Sequence, residues 1–176
     1  MGRGTIEIKT DRLLLRRHVE EDAVTLNRNF GLDPEMVKYS GWTPYATGEK
    51  ARRTVKDFMS RYEDEHFYGW AIEHDSRLVG TIGAYDYDPA EQSVEIGFSI
   101  ERASWGQGFA GEALKAVTTY LMGSEKIRRI TSWSADRNIG SIKVLERAGF
   151  KRVSIEPEAL EIDGMMYDKI NYELLG

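Results

Sequence analysis

Along the chain the spacing of apolar residues switches between two and three-to-four, and the order of the switches predicts alternating strands and helices. Arg12-Leu-Leu-Leu-Arg16 reads as a short strand. Glu20-Glu21-Asp22 then opens a helix carrying Val24, Leu26 and Phe30, with its acids at the positive helix end, and Gly31 to Pro34 breaks it. After Thr47, the residues Ala51, Val55, Phe58, Met59 and Tyr62 fall at helical spacing. From Tyr68 the period becomes two. Residues 68–73, 78–85 and 93–100 read as strands joined by turns at 74–77 and 86–90, and connections this short imply an antiparallel meander. In the third strand Val94, Ile96, Phe98 and Ile100 share one face, and Ser93, Glu95, Gly97 and Ser99 share the other. One side therefore packs, and the small, polar side is a candidate working surface.

The turn Trp105-Gly-Gln-Gly-Phe-Ala-Gly-Glu112 leads into a helix with Ala110, Ala113, Leu114, Val117, Tyr120 and Leu121 along one stripe. A strand at 129–135, a short helix at 138–148 closed by Gly149, and a hairpin around Asp163-Gly164 leading into 167–174 complete the pattern. The prediction is an α+β fold with a mixed sheet. No internal repeat or Pro/Gly/Ser-rich linker divides the 176 residues, so a single domain over 1–176 is expected.

Composition narrows the chemistry. With 41% hydrophobic and 30% charged residues the chain is an ordinary globular mixture, and its net charge of −5 argues against direct, electrostatically driven nucleic-acid binding. The absence of cysteine removes disulfides, thiolate metal sites and cysteine nucleophiles, and fits a cytoplasmic protein. The first ten residues carry charges where a signal peptide needs an apolar core, and no stretch approaches the ~20 apolar residues of a membrane span. Ile6 stands where a myristoylation motif at Gly2 needs Ser or Thr. His18, His66 and His74 lack metal-ligand spacing and read as surface or minor contacts, so no metal site is expected.

Gly106, Gly108 and Gly111 spell G-x-G-x-x-G, the pattern of dinucleotide-binding turns, and Asp136 falls near where a ribose-binding acid belongs. Such a turn should follow its buried parallel strand at once and open its domain. Here Glu101-Arg-Ala-Ser104 intervenes, the preceding strand alternates, and an entire meander lies upstream. What remains is a turn whose amides and helix N-terminus suit a pyrophosphate; standing alone, it is equally a tight strand-to-helix connection.

It does not stand alone. Trp105-Gly-Gln-Gly-Phe-Ala-Gly-Glu-Ala113, Thr10-Asp-Arg-Leu-Leu-Leu-Arg16, Val94-Glu-Ile-Gly-Phe98, Asn138-Ile-Gly-Ser-Ile-Lys-Val-Leu-Glu-Arg-Ala-Gly-Phe150 and Gly164-Met-Met-Tyr-Asp168 occur in order over nearly the whole chain. Together they resemble the GCN5-related N-acetyltransferase (GNAT) superfamily, in particular its branch of ribosomal-protein N-terminal acetyltransferases. The resemblance implies a central, strongly twisted mixed sheet flanked by helices, with acetyl-coenzyme A as cosubstrate. It implies that Gly106, Gln107, Gly108, Phe109, Ala110 and Gly111 hold the pyrophosphate. The pantetheine arm would lie between Ile96, Gly97, Phe98, Ser99 and Ile100 and the strand at 129–135, with Asn138 and Ser141 at the thioester end. Two positions depart from the superfamily at large. Trp105 replaces a frequent Gln or Arg, although this branch often has Trp, and Leu145 stands where many members carry the tyrosine that protonates the departing thiolate.

Acetyl transfer to an amine needs a base, a polarised carbonyl and a tolerable leaving group. Glu95 is the expected base, acting through water, against its plain reading as a solvated strand carboxylate. Asp168 is the rival; it shares strand parity with Ile170 and Tyr172, where a structural partner is the common outcome. Ser141 is the expected donor to sulfur, and Asn138 also reads as a helix cap. Backbone amides near Gly97 and Phe98 would polarise the carbonyl. The acceptor is expected to be a protein N-terminal α-amine, such as that of a ribosomal protein, or a small amine, since an α-amino group (pKa about 7.7–8.0) deprotonates more easily than Lys (about 10.4). Tyr39, Trp42, Tyr45 and Trp70 with Glu63, Asp64 and Glu65 would build an acceptor cleft, or else serve as core and solvated face. A non-catalytic acyl-coenzyme A-binding module is the competing class, and a homodimer is compatible with either.

Overall fold

The structure, a computed structural model, describes residues 2–40 and 43–176. Its strands are β1 (Ile8–Lys9), β2 (Leu14–Arg16), β3 (Tyr68–His74), β4 (Arg77–Asp88), β5 (Ser93–Ile100), β6 (Arg129–Ala135), β7 (Lys151–Ile162) and β8 (Met165–Leu175). Its helices are α1 (Asp22–Leu26), α2 (Pro34–Val37), α3 (Gly48–Arg61), α4 (Phe109–Gly123) and α5 (Ile139–Arg147). The strands form one sheet in the order β1-β2-β3-β4-β5-β6-β8-β7, and only the β5–β6 junction is parallel. The α+β reading with a mixed, helix-flanked sheet is correct.

Each face carries one helical layer. Trp70, Ile72, Ile82, Val94, Ile96 and Ile130 pack against the apolar stripe of α4 (Ala113, Leu114, Val117, Leu121) and against Leu145 of α5. On the opposite face Ala23 and Leu26 of α1, Phe30, and Ala51 and Val55 of α3 cover Ala71 and Leu78. Each large side chain buried in this way contributes about 1.5–3 kcal/mol. Thr47 caps α3, its side chain accepting from the Lys50 amide as the sequence pattern implies.

Local differences have local causes. The first helix continues past Leu26 as a single π-turn over Asn27–Gly31, which carries Phe30 into the core at 3% exposure. Asp33 and Pro34 then cap and open the four-residue α2, which the breaker reading of Gly31 to Pro34 missed. The second strand of the meander runs on to Asp88 because left-handed Asp86 (φ 56°) is absorbed in a register shift and does not end the strand.

His18 corrects its reading as a surface residue. It is 3% exposed, its Nδ1 lies 3.3 Å from Asp22, and its backbone amide donates to the Tyr62 hydroxyl. Arg16 donates to both Asp22 oxygens and to Glu73. Burial alone would raise the Asp22 carboxyl, but the close approach of His18 and hydrogen bonds from Arg16 and the Val19 amide outweigh it and hold it well below the usual carboxylate range. A depressed folded-state value means the stabilisation is complete above the ordinary carboxyl pKa and fades as pH falls toward the folded one. Asp22→Ala, which leaves Arg16 with the Glu73 carboxylate alone, is therefore expected to cost about 3 kcal/mol at pH 7 and much less near pH 2, as read by urea melts at the two pH values. No helix among the described residues is long and apolar enough to cross a membrane.

Candidate active site

β5 and β6 begin side by side and then part. Their register pairs are Ser93 with Arg129, Val94 with Ile130, and Glu95 with Thr131; beyond these the ladder stops although both strands continue. The hydroxyl of Ser132 crosses the start of the gap to donate to the Ile96 carbonyl (2.9 Å). On the other edge of β5 the next residue after the strand, Glu101, donates its amide to Val79 of β4. Strand alternation then turns the backbone groups of Ile96, Phe98 and Ile100 toward the gap. The Ile100 carbonyl is taken by the Trp105 indole (2.7 Å), which pins the following turn to the strand end. Phe98, rather than Gly97, presents its amide to the gap.

The turn itself is shaped for an anion. Gly106 (φ +81°) and Gly108 (φ +80°) occupy the left-handed region, so both need glycine for their backbone. Gly111 does not. It lies in the first turn of α4, where an added Cβ would meet nothing within 4 Å, and glycine there costs the helix about 1 kcal/mol relative to alanine. Neither conformation nor packing calls for it, whereas close approach of a ligand does. α4 has no side-chain cap, and its first intrahelical bond runs from Glu112 to Gly108, leaving the earlier amides of the turn available.

Arg12 is the site residue that sequence reading missed. Its guanidinium donates to the Gln107 carbonyl (2.7 Å) and to Glu112 (2.8 Å), and lies 3.4 Å from where a Gly108 Cβ would stand. Thr10 donates to the same Glu112 carboxylate (2.6 Å). These bonds outweigh burial and keep that carboxyl below its ordinary value. A cation and a rank of amides thus converge on the turn, and this donor set fits a pyrophosphate.

The remaining predicted residues divide between the two faces. Glu95 is half-buried on the polar face, the last paired residue before the strands part. Asn138 caps α5, accepting from the Ser141 amide (3.3 Å), so its cap role is real. Ser141 stands one turn before buried Leu145 on the sheet-facing side of α5, on the face opposite Glu95. Asp168 shares the parity of Ile170 and Tyr172 on that same α4/α5 face. Its carboxylate accepts the Glu158 amide (2.9 Å), and its own amide donates to Asp136 (3.0 Å), which ties β8 to the ends of β6 and β7.

Among the described residues the expected aromatic and acidic cleft does not assemble. Trp70 is fully buried in the core, its indole donating to Ile6 (2.6 Å), and residues 63–65 lie in the turn after α3 against Gly2 and Gly4. Trp42 lies outside the described residues. Tyr39 packs edge-on against Tyr167 (5.8 Å) near the end of β6, and the Tyr45 carbonyl accepts from Asn27 (2.8 Å).

A strand pair that splays beside a glycine-rich turn, with a helix N-terminus facing the gap, is the arrangement of a coenzyme-dependent acyltransferase. The family profile described as acetyltransferase (GNAT) domain matches residues 12–151, and the chain belongs to that family. It is 28% identical over 170 residues to the uncharacterized N-acetyltransferase YoaA of Bacillus subtilis, covering 96% of each chain. It is 24% identical over 173 residues to the ribosomal protein uS5-alanine N-acetyltransferase of Escherichia coli, covering 94% of this chain and 88% of that one. Its fold superposes with a TM-score of 0.87, at 21% identity and over 97% and 98% of the two chains, on RimL, a ribosomal L7/L12 α-N-protein acetyltransferase solved with coenzyme A. The protein is an N-acetyltransferase of the GNAT family, similar to the ribosomal-protein branch. The dinucleotide-binding reading of the glycine pattern falls with that membership.

Proposed function

We propose that the protein transfers the acetyl group of acetyl-coenzyme A to a protein N-terminal α-amine or a small primary amine. The observation that carries this reading is the β5–β6 gap with Glu95 on one face and Ser141 on the other. A thioester lying in that gap has its base on the side from which an amine attacks, and a hydroxyl on the side toward which sulfur leaves. The Phe98 amide is the group available to polarise the carbonyl, and the Gly106–Gly111 turn with Arg12 holds the phosphates. The acid that the family's tyrosine would supply is replaced here by the weaker Ser141 hydroxyl, because Leu145 belongs to the core. Asp168 is the less favoured base, since its carboxylate already serves the Glu158 amide and faces the other layer.

Thiol release from acetyl-coenzyme A with a panel of peptide α-amines and small amines tests the reading. Acetyl-coenzyme A should raise Tm where NAD does not, and thiol should appear only with an acceptor; protection without thiol release from any amine would indicate a binding module instead. Ser141→Ala should lower kcat about 10–100-fold, on the order of 1.4–2.7 kcal/mol, with coenzyme Kd unchanged. Asn138→Ala, which removes the cap, should instead cost about 1 kcal/mol of stability. Single-turnover rates and melting curves on both variants separate the roles.

A further inference from the structure

Opposite Glu95, on the neighbouring strand, stands a tyrosine that lies outside the buried core. The register of β4 and β5 pairs Tyr85 with Glu95 directly and Gly83 with Gly97. The Tyr85 ring leans along this face onto its diagonal neighbour: a Cβ at Gly97 would lie 3.0 Å from the phenol oxygen and 3.4 Å from Cε1. Gly97 has no positive φ, so its lack of a side chain is explained by the phenol that rests on it. Tyr85 is nevertheless 46% exposed, an aromatic open to solvent at the point where β5 and β6 separate. An exposed cross-strand tyrosine is usually only surface; one laid over the polar floor beside the expected base has a partner and an opening.

We propose that Tyr85 is a catalytic residue, the hydroxyl through which Glu95 removes the proton from the acceptor amine; this rests on the transferase reading above. The phenol oxygen accepts a hydrogen bond from the substrate ammonium and donates its own proton to the Glu95 carboxylate. In the step an amine N–H proton passes to the Tyr85 oxygen while the Tyr85 proton passes to Glu95. The ammonium becomes a free amine, the carboxylate becomes a carboxylic acid, and the tyrosine is unchanged. The phenol suits this relay because burial, and then the negative charge of Glu95 on the paired strand, push its pKa above the ordinary value and keep it protonated. The other charge bearing on it is Asp86, which acts in the same direction. A relay of this kind replaces the bridging water otherwise expected between Glu95 and the amine.

The test compares wild type, Tyr85→Phe, Glu95→Gln and the double variant in the thiol-release assay. Phenylalanine keeps the ring over Gly97 and removes only the hydroxyl. The expected result is a 10–100-fold fall in kcat for Tyr85→Phe, with coenzyme Kd and Tm held. The loss should shrink as pH passes the α-amine's own pKa of about 8, where the acceptor arrives already neutral. The double variant should be no slower than Glu95→Gln alone, as befits two groups acting in one transfer. Wild-type kcat in Tyr85→Phe with Glu95→Gln slow, or losses that multiply in the double variant, would overturn the relay and leave Glu95 as base. An unaffected Glu95→Gln, or a wild type that releases no thiol with any amine, overturns the underlying reading and the relay with it.

Discussion

Glu95→Gln is expected to lower kcat by about 10²–10⁴-fold, the usual contribution of a positioned base, while coenzyme affinity stays within twofold. The substitution is nearly isosteric and sits where β5 is paired on both sides, to Tyr85 and to Thr131, so the strand is not disturbed. The deficit should be greatest at low pH, where the amine arrives protonated and a base is most needed. Asp168→Asn is the informative comparison. It should weaken the Glu158 amide contact, lower Tm modestly and leave the pH profile of kcat in place; if instead it reproduces the acid-limb loss while Glu95→Gln does not, the two carboxylates exchange roles.

Gly108→Val should reduce affinity for acetyl-coenzyme A by at least 100-fold, about 2.7 kcal/mol, measured by calorimetry. A β-branched residue is strained at φ +80°, and its Cβ would stand 3.4 Å from the Arg12 guanidinium. Both the amides and the cation would be displaced from the phosphates. Because the strain also lowers stability, Gly111→Ala is the cleaner partner. Open space and a helical backbone there predict a Tm gain, up to about 1 kcal/mol in stability, together with weaker coenzyme binding. Opposite signs for stability and affinity in one variant are hard to produce unless the glycine is reserved for a ligand. A stabilised Gly111→Ala with undiminished affinity would remove the turn from the coenzyme site.

Much of this was readable from residue order. The strands at 93–100 and 129–135 were delimited by their alternation, and the Gly106–Gly111 turn by its composition, because period and glycine content are local properties. Arg12 and Arg16 were read only as the ends of a short strand within a family-like motif. Their partners, Glu112 for one and Asp22 and Glu73 for the other, are set by tertiary contact and leave no local mark. His18 reads as a surface residue for the same reason: its neighbours in sequence are charged, and Tyr62, which with nearby Asp22 encloses it, is brought there by folding. Of the two readings of the aromatic and acidic residues, core holds for Trp70, because aromatic content says nothing about which face a residue takes. Tyr85 escaped notice because its meaning depends on the β4–β5 register, which brings it to Glu95 and Gly97.

The three paired residues between β5 and β6 make the sheet a seam. Five strands lie on one side and three on the other, stitched by a short ladder and the Ser132 hydroxyl, with α4 packed across the join. Main-chain groups of Ile96 and Phe98 face this seam, so under the proposed reading a cosubstrate arm carrying amides of its own would take the place of the absent rungs. Recognition through main-chain rungs is indifferent to side-chain identity, which leaves the apolar face of the strand, Val94 and Ile96 included, to the demands of the core. It would also make the cosubstrate a structural component of the folded state. At 100 times Kd such a ligand would add about 2.7 kcal/mol to stability, so the proposed reading predicts a sheet that is laced when coenzyme is bound and open along the seam when it is not.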